Sequence, residues 1–129
     1  MAAPLDRIWE IVSDVDNDPQ FWQDLHSVTT LRRNGNVIER VATVGFRNSR
    51  SSQTVILDPK KSVRIVMTKG PMTGDRIIEL KRSGERKTVI EVAWTVELSG
   101  IPSFIRKSVQ ERLGKGTEEA LARIEKAAA

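Results

Sequence analysis

A chain of 129 residues with a formal net charge of +4 fits one folded domain, residues 1–129, since domains most often hold about 100–150 residues and no stretch reads as a linker. It has no cysteine, which excludes a disulfide framework and a thiolate metal site, and no apolar run approaches the roughly 18 residues of a membrane span. Met1 leads straight into an amphipathic segment instead of a leader peptide, which reads as a cytoplasmic protein.

Charge is unevenly laid out. Residues 1–25 carry six acidic side chains against Arg7 alone, residues 26–87 carry fourteen basic against five acidic, and the remainder balances.

Ala3-Pro4-Leu5-Asp6 opens a first helix, with Pro4 near its first turn and Leu5, Ile8, Trp9 and Val12 on one face. Asp14-Val15-Asp16-Asn17 ends it. Asp18-Pro19 then predicts a second short helix that carries Phe21, Trp22 and Leu25, with Asp18 as its cap. After Leu25 the period changes from helical to alternating. A strand from Ser27 to Arg33 reaches Asn34-Gly35, a two-residue hairpin signal, and returns from Asn36 to Phe46. The polar run Arg47 to Ser52 reads as a loop before a strand from Gln53 to Leu57. Asp58-Pro59-Lys60-Lys61 turns the chain into Ser62 to Thr68, and Gly70 to Gly74 forms the next loop. Strands follow at Arg76 to Lys81 and Lys87 to Leu98. In the last, Ile90, Val92, Trp94, Val96 and Leu98 alternate with a mixed face.

From Ser99 onward the sequence reads almost entirely as one long helix started by Pro102. Ile101, Ile105, Val109, Leu113, Gly116, Ala120 and Ile124 form its apolar stripe, widened by Phe104, Thr117 and Leu121. Two short N-terminal helices, hairpin-connected strands and a long last helix predict an α+β fold with a curved antiparallel sheet packed on that helix.

That order, with Ala3-Pro4 before Ile8-Trp9 and Ile11-Val12-Ser13-Asp14, Pro19 with Phe21-Trp22, Gly70-Pro71-Met72-Thr73-Gly74 before Arg76, and Pro102 opening the last helix, resembles the START-like (SRPBCC, helix-grip) superfamily. Within it, the sequence resembles polyketide cyclase/dehydrase-like and coenzyme-Q-binding-like members. The resemblance implies a cavity for an apolar ligand, with Ile65, Met67, Ile78, Val92, Trp94 and Val96 facing Ile105, Val109, Leu113 and Gly116 across it, and Trp22 among the lining residues. From the residues alone, a filled core would look the same. Family members usually carry a strand before the Ala-Pro, which here is either lost or upstream of the given sequence. Its absence would leave the strands at Ser27 and Lys87 with open edges, and self-association through the edge of the last strand is the expected outcome.

Catalytic groups are scarce. The single histidine, His26, follows the expected second helix; near the cavity mouth it would suit proton transfer in a cyclase or dehydratase, because its reference pKa is about 6.5. Ser108 and Arg112 border the apolar stripe as groups able to meet a ligand's oxygen atoms, though Arg112 can equally reach water. Asp14, Asp16 and Asp18 lack the glycine and closing glutamate of a calcium loop, so no metal and no cofactor is expected. Gly114 and Gly116 admit two readings: room for a ligand, or close packing against a bulky strand residue such as Trp94. The basic strands read as a solvated outer sheet face. Nucleic acid is not expected, since only Phe46 of the Trp and Phe residues lies among them, while peripheral contact with an anionic membrane stays open.

The leading expectation is a carrier or binding protein for a lipid-, quinone- or polyketide-type molecule. The alternatives are a cyclase or dehydratase using the same cavity, with His26 as its weak candidate, and an interaction module with no ligand.

Overall fold

The first helix, α1 (Leu5–Ser13), forms where Pro4 supplies an extended N-cap and buries Ile8 and Val12 at its 3.6-residue spacing. The computed structural model describes residues 1–45, 48–98 and 101–129; the expected strand end at Phe46 and loop residue Arg47, and Ser99 and Gly100 before the last helix, lie outside the described residues. A 3-10 turn, Val15–Gln20, follows α1. Six antiparallel strands, β1 (Leu25–Asn34), β2 (Val37–Val44), β3 (Ser49–Asp58), β4 (Ser62–Lys69), β5 (Thr73–Gly84) and β6 (Lys87–Glu97), pair in sequence order. A second 3-10 turn, Ser103–Ile105, leads into α2 (Arg106–Ala128). Among the described residues no helix is long and apolar enough to cross a membrane.

Four element assignments change, the first being β5, which runs Thr73–Gly84 instead of Arg76 to Lys81 because Thr73 and Gly74 already pair with Glu97 and Val96 of β6 and Arg82 with Thr88. The second helix is only the 3-10 turn, and Trp22 and Leu25 lie beyond it; Asp18 does not cap, because its side chain turns inward to Arg40. Its carbonyl instead accepts the N–H groups of Phe21 and Trp22, at 2.9 and 3.0 Å. β3 begins at Ser49, four residues before Gln53, since Ser49–Ser52 keep register with Val44–Val41 of β2 and Ser51 is buried. Polar side chains do not prevent a ladder made by the backbone. The long helix begins at Arg106: Pro102 has ψ 139, extended, and the Ile105 N–H closes a tight turn onto its carbonyl at 3.1 Å.

The core lies between the inner face of the sheet, α1 and the C-terminal half of α2. Ile38 and Ala42 of β2, Val55 and Leu57 of β3, Val63 and Ile65 of β4 and Ile78 and Leu80 of β5 are buried against Ala120, Ile124 and Ala128 of α2. No residue from Arg106 to Glu119 is buried, so the stripe read from Ile101 to Leu113 is only partly covered, and Phe104 is 85% exposed. Arg123 Nη1 donates to the Phe21 carbonyl at 2.9 Å, and the Ala2 N–H donates to Glu125 at 3.0 Å; these contacts fasten the far half of the helix. Its near half stands off the sheet.

β1 and β6 are the two edges. Met1 takes one rung on β6: its amino group donates to the Thr88 carbonyl and its carbonyl accepts the Thr88 N–H. Both Thr88 groups therefore point outward. By strand alternation, so do those of Ile90, Val92, Trp94 and Val96.

Candidate ligand cavity

A cavity of about 100 Å³ lies between the sheet and the near half of α2. Its floor lies on two rows set by strand register, of which Arg40, Gln53, Ile65, Met67, Arg76 and Trp94 reach the lining. One row runs Val55, Ile65, Arg76, Trp94 across β3 to β6, and the next runs Arg40, Gln53, Met67, Gly74, Val96 across β2 to β6. Gly74 lacks a side chain in that row for a backbone reason: with φ +125, a Cβ there would stand 2.1 Å from the Thr95 carbonyl oxygen. Trp22 and Leu25 close one end, Met72 borders it from the β4–β5 loop, and Arg112, Leu113, Gly116 and Thr117 form the roof.

Of the sequence-derived candidates, Trp22, Ile65, Met67, Trp94, Arg112, Leu113 and Gly116 line this cavity. Ile78, Val92, Val96, Ile105, Ser108 and Val109 lie outside its lining. Ile78 is 2% exposed and belongs to the packed core, while Ser108 points to solvent because its stretch of α2 has no covering layer. His26 is also outside: it is exposed, and its Nε2 meets the Gly45 carbonyl at 2.5 Å. A Cβ on Gly114 or Gly116 would meet nothing within 4 Å, so close packing against Trp94 is not what these glycines provide. Trp94 instead donates its indole N–H to Thr117 Oγ1 at 3.0 Å, a strut between β6 and α2.

Polar side chains that sequence reading placed on the outer sheet face turn inward. Arg40 is 1% and Arg76 5% exposed. Arg40 donates to Asp18 Oδ2 and the Val15 carbonyl, each at 3.0 Å, and to Gln53 Oε1 at 2.9 Å; Gln53 in turn donates to Ser51 Oγ. Arg40 Nη2 and Arg76 Nε are buried without an acceptor. Arg76 is held differently, its guanidinium carbon 3.9 Å from the Trp22 ring centroid and 5.6 Å from that of Trp94, with the two indoles edge to face at 6.2 Å. Such cation–π contacts reach about 2 kcal/mol when desolvated. Burial pulls the Arg76 pKa down to about 10, with Arg40 adding and Asp18 opposing, so Arg76 stays charged at neutral pH. Burial likewise pushes the Asp18 carboxyl upward, against the pull of Arg76 and Arg40.

The signal for these groups was alternation phase. Ile38-x-Arg40-x-Ala42, Gln53-x-Val55-x-Leu57 and Arg76-x-Ile78-x-Leu80 each put a polar residue on the buried phase of its strand.

At the mouth, Arg112 Nη2 meets Asp24 Oδ1 at 2.8 Å, with both side chains about half exposed. An ion pair that open to solvent contributes little stability. It does join α2 to the segment before β1. Among the described residues there is no cluster of potential metal ligands.

Residues 1–122 match the family described as polyketide cyclase / dehydrase and lipid transport. No relative among curated proteins matches. Among solved structures, a protein of Thermus thermophilus is 20% identical, with TM-score 0.81, covering 99% of this chain and 91% of that one. The Zhui aromatase/cyclase of a Streptomyces species is 14% identical, with TM-score 0.76 and coverage of 99% and 90%. A START superfamily protein of Mycobacterium smegmatis is 18% identical, with TM-score 0.74 and coverage of 98% and 92%. At these identities the structures speak for the fold alone. The antiparallel sheet curved about a long last helix is the fold shared with the START superfamily structure, and the match over residues 1–122 shows that the chain belongs to the polyketide cyclase/dehydrase and lipid transport family.

Proposed function

We propose that this protein binds an apolar small molecule of lipid, quinone or polyketide type between its sheet and α2, and that it acts as a carrier. The observation that carries this reading is the mostly apolar cavity under the one part of α2 where no residue is buried. A cavity of about 100 Å³ is small beside pockets for drug-sized ligands, which run to about 300–1,000 Å³. A larger ligand therefore needs the roof to lift. The roof is suited to that, since its fixed contacts are the exposed Asp24–Arg112 pair and the Trp94–Thr117 hydrogen bond.

Cyclase or dehydratase chemistry in the same cavity has less support. Among the described residues the lining contains no histidine, cysteine or serine, its one carboxylate is Asp24, already paired with Arg112, and His26 lies elsewhere. A proton-transfer mechanism lacks a free base there.

Native mass spectrometry of gently purified protein tests the carrier reading. The expected result is an added mass that solvent extraction removes and that Gly116→Trp, which fills the cavity from its roof, abolishes. Only the bare chain mass in the unmodified protein, before and after extraction, would count against it.

A further inference from the structure

The cavity has a charge that its own walls do not balance. Among the described residues, five charged groups lie in or directly behind it: Arg40, Arg76, Asp18, Asp24 and Arg112. Asp18 is hydrogen-bonded to Arg40 and also acts on Arg76, and Asp24 pairs with Arg112, so three cations face two carboxylates; one positive charge is left over, and Arg76 is the cation with no hydrogen-bonded partner. A buried cation is costly unless it is paired or hydrogen-bonded. Among the described residues no acceptor pairs with the Arg76 guanidinium. Trp22 and Trp94 offset part of the cost by cation–π attraction, but that contact uses none of the N–H donors.

Two of the other polar groups in the lining are already committed. Gln53 accepts from Arg40 and donates to Ser51; Thr117 Oγ1 donates to the Leu113 carbonyl and accepts from Trp94. What the interior offers an incoming molecule is therefore positive charge and N–H donors, set among Ile65, Met67, Met72 and Leu113. We infer that the ligand is an apolar acid, a compact apolar skeleton whose single carboxylate is received by the guanidinium of Arg76. A neutral carbonyl would take the donors and leave the charge. A doubly charged phosphate would overshoot it. A carboxylate matches the one excess charge and the two-pronged geometry in which arginine binds best.

This inference rests on the cavity being the binding site, and its test separates the two. Benzoate and benzamide have nearly the same shape, fit a small cavity and differ in charge. Titrated by calorimetry into the whole protein at neutral pH and constant salt, benzoate is expected to bind at least about tenfold more tightly. Arg76→Met, which keeps the bulk and removes the charge, is expected to abolish that preference while benzamide binds within a few-fold of before. Equal affinity of the two compounds for the unmodified protein, a comparison that needs no variant to fold, would overturn the assignment to acids and leave the cavity reading standing. A preference for benzoate that survives Arg76→Met would overturn the role of Arg76. Binding of neither compound would count against both readings.

Discussion

Asp18 and Arg40 form an ion pair with side-chain exposures of 7% and 0%, and the sheet and the 3-10 turn meet through it. Removing one partner of such a pair leaves the other charge buried alone, at about 3–5 kcal/mol. Replacing both with apolar groups of similar size is often near neutral. Asp18→Ala is therefore expected to lower unfolding free energy in urea by about 3–5 kcal/mol, and Asp18→Leu with Arg40→Met to recover most of that loss. A double variant as unstable as the single one would show that the loss comes from packing instead of charge. Neither role was visible from residue type, because an aspartate before proline reads as a cap and an arginine in a basic strand reads as surface. Only the phase of Arg40 between Ile38 and Ala42 told otherwise.

At the scale of elements, the glycines divide by what surrounds them. Gly74 is in a conformation that L side chains rarely adopt and would place a Cβ into the backbone of β6, so Gly74→Ala is expected to destabilise the β5–β6 ladder. Gly114 lies in regular helix with open space at its Cβ position, so Gly114→Ala is expected to raise stability by up to about 1 kcal/mol. Urea midpoints of the two variants moving in opposite directions would confirm the distinction; a stable Gly74→Ala would refute it. The strand order and the long last helix were legible in the sequence because hairpin turns and period changes are local signals. The start of α2 and the length of the second helix were not. Each was decided by a partner distant in sequence or by a proline's extended ψ, as at Asp18 with Arg40 and at Pro102.

At the scale of the molecule, α2 is fastened at one end and stands over a cavity at the other. Its far half buries Ala120, Ile124 and Ala128, while its near half shares only half-buried residues with the sheet. Seven of the thirteen sequence-derived lining residues met at the cavity, since apolar alternation marks an inward face without saying whether core or cavity lies behind it. Ile78 and Ile65 show the same pattern and both are buried, yet only Ile65 also faces the cavity. The two buried arginines give the interior its chemical character, and they come from the part of the chain that is most basic overall.

The three tryptophans allow the central claim to be tested in one measurement. Trp22 and Trp94 line the cavity, and Trp9 lies on α1 outside its lining. In an indole N–H spectrum of nitrogen-15-labelled protein titrated with toluene, a small apolar probe, the Trp22 and Trp94 signals are expected to shift and saturate together while Trp9 stays in place. Three signals that move alike, or none that saturates, would contradict a ligand cavity between the sheet and α2.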